Sequence, residues 1–160
     1  MARHGRQDGA TDAGSEAAAG DVESGSDDDD GVGAAAPGAV PVEEVKMVLC
    51  VNGELSMTKG KIAAQAAHGA VGALQQLQRA GFTTLLRAYE RGGQPKIALR
   101  VPTTEELVSL ARAARAAGLP TYVVQDAGRT QIAAGSRTVL AIGPAPRSAV
   151  DAITGGLKLL

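Results

Sequence analysis

Four short apolar runs, kept apart by longer segments of helical periodicity, constrain this chain more than any other feature. The runs are Lys46–Val51, Lys96–Val101, Thr121–Gln125 and Thr138–Gly143. Each is five or six residues long, rich in Val, Ile and Leu, and bounded by Gly, Pro or Asn, as short buried strands are. Asn52-Gly53 is a turn signal after the first run, and Gly92-Gly93-Gln94-Pro95 breaks the chain before the second. Between them, 59–80 and 83–91 read as helices, the first closed by Gly81. Thr103 and Glu106 have capping-box spacing and open a helix that runs to Ala117 and stops at Gly118-Leu119-Pro120. Ser148 and Asp151 repeat that spacing and predict a last helix over 148–154. The order is β-α-α-β-α-β-β-α. Strands separated by helices favour parallel pairing and consecutive strands antiparallel pairing. The expected fold is α/β, a small four-stranded mixed sheet with helices on both faces.

Of 160 residues only Phe82, Tyr89 and Tyr122 are aromatic. The core is therefore aliphatic, and the composition argues against an aromatic platform for single-stranded RNA. The formal charge of −1 hides an asymmetry: residues 1–45 hold 2 basic and 11 acidic side chains, whereas 46–160 hold 14 and 6. Residues 1–41, with the run Asp27–Asp30, have the composition of a disordered segment. The expected organisation is a tail and linker over 1–45 and one folded domain over 46–160. The tail either competes with RNA for the basic domain or only solvates it. A basic domain with few acids is a candidate for a polyanionic partner. Cys50 is the single cysteine, so an intrachain disulfide is excluded; it lies in an apolar run as a small buried side chain. No run of 18 apolar residues is present, so a membrane-spanning helix is not expected. The N-terminal residues have neither the apolar core of a secretory signal nor the acid-poor composition of a mitochondrial presequence, and the expected location is cytosolic.

Two segments concentrate polar chemistry. Placed at 100° steps, Ile62, Ala66, Gly69, Ala70, Ala73 and Leu77 share one face of the first helix, and Lys61, Gln65, His68, Gly72 and Gln75 share another. Lys59 and Lys61 fall in the first turn, where the helix dipole disfavours cations. They read either as an anion site beside free backbone N–H groups or as solvated lysines at a frayed end. His68, one turn beyond Gln65, is either a proton-exchanging or a solvated side chain. The second segment begins at Asp126, where the third run ends, and gathers Arg129, Thr130, Gln131, Ser136 and Arg137, with Gly128 and Gly135 allowing close backbone approach. Strand ends and the loops after them are where α/β folds place sites; the plainer reading of Asp126 is an Asx-turn. No histidine or cysteine cluster spaced for a metal, nucleophile elbow or phosphate-binding P-loop occurs.

Lys59-Gly60-Lys61-Ile62-Ala63-Ala64-Gln65-Ala66-Ala67-His68, Gly93-Gln94-Pro95-Lys96, Gln125-Asp126-Ala127-Gly128-Arg129-Thr130-Gln131 and Gly135-Ser136-Arg137-Thr138 resemble the type II peptidyl-tRNA hydrolase family. The resemblance runs in order through residues 46–160. It implies a mixed four-stranded sheet flanked by helices, a homodimer, and hydrolysis of the ester between a nascent peptide and the tRNA 3′-ribose without a cofactor. Peptidyl-tRNA is the implied partner. Carried over, the family's functional positions fall on Lys61, Gln65, Asp126, Thr130 and Thr138, and His68 matches a position usual in eukaryotic members. Lys59, Lys96, Arg129, Gln131, Ser136 and Arg137 are the further expected substrate-binding residues. The rival expectations are a non-enzymatic RNA-binding or signalling adaptor and a general esterase.

Overall fold

β1 (Val45–Asn52) is buried from Lys46 onward and forms the spine of the molecule. In the computed structural model, which describes residues 43–128 and 132–160, it is followed by α1 (Lys59–Arg79), α2 (Thr83–Arg91), β2 (Lys96–Val101), α3 (Thr104–Ala116), β3 (Thr121–Gln125), β4 (Arg137–Pro146), α4 (Arg147–Thr154) and β5 (Lys158–Leu159). The sheet order is β3-β4-β1-β2-β5. β1 pairs parallel with β2 and antiparallel with β4, and β3 pairs antiparallel with β4. The tail expected over residues 1–41, and Arg129, Thr130 and Gln131, lie outside the described residues.

The mixed sheet with helices on both faces is as expected, with one strand more than four. β5 adds to β2 through Leu99 and Arg100. Two residues are too few to carry an alternating pattern, so only the pairing reveals this strand. One face of β1 and β4 (Val48, Cys50, Leu140, Ile142) packs with Leu107, Ala111 and Ala114 of α3 and Val150 of α4. The other (Met47, Leu49, Val51, Val139) packs with Ala70 and Ala73 of α1 and Tyr89 of α2. Cys50 is fully buried, and burial pushes its thiol up to about 12.

The small residues of α1 set its height above the sheet. A Cβ on Gly69 would lie 3.3 Å from Val139 Cγ1 and 3.5 Å from Val124 Cγ2, and one on Gly72 would overlap the Tyr122 ring. α1 thus rests on the seam between β3 and β4, closer than a helix with larger side chains could.

The two expected capping boxes fare differently. Thr103 Oγ1 accepts the Glu106 N–H at 3.2 Å and caps α3. Ser148 and Asp151 do not form the second: α4 starts one residue earlier, Pro146 is its N-cap, and the Ser148 N–H goes to Glu43 Oε1. The reason is Lys46. It is buried inside β1 and requires a counterion, and its Nζ donates to Asp151 Oδ1 at 2.6 Å. That hydrogen bond is the main cause holding the Asp151 carboxyl below its ordinary value of 3.8, with Arg147 contributing. A depressed folded pKa stabilises above the unfolded value, and the contribution disappears as pH falls through the folded value. Asp151→Asn is expected to lower Tm at neutral pH, with the gap to the parent closing below pH 3.8. Thermal melts across the acid range check this; a gap that persists into strong acid contradicts it.

Candidate active site

Lys61, Gln65 and Gly69 recur every four residues and form one row along α1. Gly69 sits on Val139 and Val124, so the same row carries Gln65 over Thr138 and Lys61 over the loop after β3. Thr58 caps the helix by accepting the Lys61 N–H at 3.3 Å, and the first turn holds no acid. The missing negative charge comes from elsewhere in the chain: Lys61 Nζ donates to Asp126 Oδ2, across 65 positions of sequence. Both side chains are almost fully buried, Lys61 at 12% and Asp126 at 4% exposure. A buried pair of this kind gains little net stability, because desolvation offsets attraction.

Described residues on either side of residues 129–131 hold that carboxylate. Asp126 donates its N–H to the Ser136 carbonyl at 2.9 Å and accepts the Gly135 N–H on its own carbonyl at 2.8 Å. Its Oδ1 accepts the Gly128 N–H at 2.7 Å, so the Asx-turn reading holds for one oxygen while the other meets Lys61. Gly128 and Gly135 have φ of +74° and +83°, where a side chain would be strained. Ile132 is buried and anchors the return of the loop.

Thr138 is completely buried at the start of β4. Its hydroxyl donates to Gln65 Oε1 at 2.6 Å and lies 3.3 Å from the Val124 carbonyl. The Gln65 carbonyl is thereby fixed, which leaves its amide N–H groups as donors toward the depression that Gln65 lines with His68 and Ala127.

Lys61, Gln65, Asp126 and Thr138 therefore converge, and Ser136 contributes its carbonyl to the same loop. His68 is exposed one turn along α1, and Lys59 is exposed at the helix start. Arg137 lies on the opposite side of β3, where it lines a cleft of about 220 Å³ with Arg112, Arg115 and Gln125. Lys96 is not brought to the site. It opens β2 beside Met47, whereas the Asp126 loop lies past the other end of the sheet; its Nζ bonds the Gln94 carbonyl at 2.9 Å and stands 5.2 Å from the Tyr89 ring centroid.

Sequence reasoning missed Asn52, Arg112 and Arg115. Asn52 is buried, and its amide donates to Thr104 Oγ1 at 2.8 Å and to the Arg137 carbonyl at 2.9 Å. Its Oδ1 accepts the Glu54 N–H at 3.0 Å, and Glu54 Oε2 takes the Thr104 N–H at 2.7 Å. This bracket ties the start of α3 to the residue before Thr138. Arg112 and Arg115, three apart on α3, share a helix face; that spacing was the available signal.

A family model described as peptidyl-tRNA hydrolase PTH2 matches residues 45–160. The chain is 52% identical over 116 residues to "Peptidyl-tRNA hydrolase 2, mitochondrial" of Bos taurus, and 49% to the protein of that name from Homo sapiens; each match covers 72% of this chain. It spans 64% of the length of those two relatives. It is 46% identical to a "Peptidyl-tRNA hydrolase" of Metallosphaera sedula, over 72% of this chain and 100% of that one.

Thr138→Val removes the hydroxyl that fixes Gln65 and is expected to cost about 1 kcal/mol of stability, whereas Thr138→Ser retains most of it. Denaturant titration distinguishes them; equal stability of Val and parent would show that the hydroxyl does not hold Gln65.

Proposed function

The chain belongs to the PTH2 family of peptidyl-tRNA hydrolases, and from that premise we propose that it hydrolyses the ester joining a peptide to the tRNA 3′-ribose. The observation that carries the reading is the buried contact of Lys61 with Asp126, beside Gln65 oriented by Thr138. Water attacks the ester carbonyl carbon while an Asp126 carboxylate oxygen takes its proton. The tetrahedral oxyanion is met by the Lys61 ammonium and the Gln65 amide N–H. Collapse breaks the bond to the ribose 3′-oxygen, which leaves with a proton returned from Asp126. The peptide acid loses its remaining proton to solvent, so the products are a peptide carboxylate and a free tRNA 3′-hydroxyl. Thr130 adds a hydroxyl to the same loop in this reading, and no cofactor enters it.

The tRNA is held through its phosphates. Arg112, Arg115 and Arg137 share one cleft next to the site, and none of them has a carboxylate partner among the described residues. Lys59, Arg129, Gln131 and Ser136 complete the contacts, and His68 faces the substrate from α1. Such contacts grip the backbone without reading sequence. The reading includes a cytosolic setting and a homodimer. No described helix is long and apolar enough to cross a membrane, and the exposed Leu159 on the edge strand β5 is the feature that supports self-association.

On N-blocked peptidyl-tRNA the protein is expected to release peptide, with free aminoacyl-tRNA as the control. Asp126→Asn should lose at least about 100-fold in kcat while keeping its affinity for tRNA. Arg112→Ala or Arg115→Ala should weaken binding of uncharged tRNA and reduce the salt slope by about one. Turnover at the parent rate in Asp126→Asn would remove that residue from the mechanism. Cleavage of small esters independent of tRNA and salt would instead indicate a general esterase.

A further inference from the structure

Gln125 stands at a fork. On the α3 side of β3 is the arginine cleft. On the α1 side is a depression of about 370 Å³, and a second of about 790 Å³ spans the edge of β3 from Gln76 and Phe82 to Arg115 and Val123; both are lined by Tyr122 and Gln125. The first starts at the site, at Gln65 and Ala127, and passes His68. The second continues past Gln76 to Phe82. Together they make a groove along the seam between α1 and β3.

The chemistry of this groove differs from that of the cleft. Its polar lining is largely neutral amide, from Gln65, Gln75, Gln76 and Gln125. Among the described residues no Asp, Glu or Lys lines it, and its one arginine, Arg115, also lines the cleft. Two of the three aromatic side chains in the whole chain, Tyr122 and Phe82, are there and partly exposed, at 36% and 52%. Gly72 keeps the groove shallow at its waist, where the Tyr122 ring lies flush against α1.

β3 is also an edge strand. Among the described residues its one neighbour in the sheet is β4, so its outer backbone groups can accept an added strand. β3 runs toward Asp126, which follows Gln125 directly. An extended peptide whose C-terminal carbonyl is at the Lys61–Asp126 contact would lie parallel to β3, with its remaining residues directed toward Phe82.

The substrate has two halves of opposite character, a polyanion and a chain of arbitrary sequence, joined at the bond that breaks. The two hollows that meet at Gln125 match those halves by charge. We propose that the groove from Gln65 past Tyr122 to Phe82 binds the peptide portion of peptidyl-tRNA, as a strand added to β3; this rests on the hydrolase reading above. Main-chain hydrogen bonds and adaptable amides accept any sequence, and the aromatic rings favour apolar residues without requiring a particular one.

The test uses the full chain and a series of N-acetylated peptidyl-tRNAs on one tRNA, from a single residue to a strand-length peptide. kcat/KM is expected to rise about tenfold along the series, and Tyr122→Ala or Phe82→Ala to flatten the rise. A second pair of variants is independent of packing. Val71 is exposed in the first depression; Val71→Glu should favour Lys-bearing over Asp-bearing peptides, and Val71→Lys the reverse. A structural effect alone would shift both peptides alike. A kcat/KM that does not depend on peptide length overturns the inference and leaves the hydrolase reading standing. Failure to cleave any member of the series overturns both. Loss of affinity for uncharged tRNA in Tyr122→Ala would assign the groove to RNA, and dissociation of a dimer by the same variant would assign it to a second copy of the chain. Either result overturns the proposal.

Discussion

The contact between Lys61 and Asp126 closes the first turn of α1 onto the loop after β3, and the candidate site depends on it. A cation in the first turn of a helix opposes the helix dipole, and a buried carboxylate loses the solvation it has in water. Each group relieves the other. The pair holds together two elements 65 residues apart, and it does so at the end of the sheet where β3 stops and β4 begins. Gln65 and Thr138 lie one helical turn further along the same row, so the pair and the hydroxyl–amide contact are placed by one rigid helix.

That helix can take this position because its inner face is small. A Cβ on Gly69 would come within 3.3 to 3.6 Å of Val139, Val124 and Leu49, and one on Gly72 would overlap the Tyr122 ring. A bulkier face would raise α1 from the seam, lengthening the reach from Lys61 to Asp126 and from Gln65 to Thr138. On the other side, Asn52 and Glu54 fix the start of α3 and the carbonyl of Arg137. The candidate site is therefore gripped from both faces of the sheet, which suits the proposed hydrolysis, whose groups must be placed before the substrate arrives.

Much of this was legible in the residues. The aliphatic runs marked β1 to β4, the Thr103–Glu106 spacing marked the start of α3, and the 100° wheel put Lys61, Gln65 and His68 on one side of α1. Contacts distant in sequence were not legible. Nothing local tells that Lys61 meets Asp126, or that Asp151 is drawn away from Ser148 by the buried Lys46. β5 is too short to show a pattern. Lys96 sits in a motif with the site residues, yet a strand has two ends and its motif opens the far one. The candidate site segments were recognisable through their resemblance to a family; the arginine cleft and the groove that meets it at Gln125 are visible only in the packing around β3.

If Lys61 and Asp126 act as a unit, each is of little use without the other. The direct test is single-turnover hydrolysis of peptidyl-tRNA by Lys61→Met, Asp126→Asn and the double variant. The double variant is expected to be no slower than the worse single one, as for residues that work together. Losses that multiply, or a single variant that retains the parent rate, would contradict it.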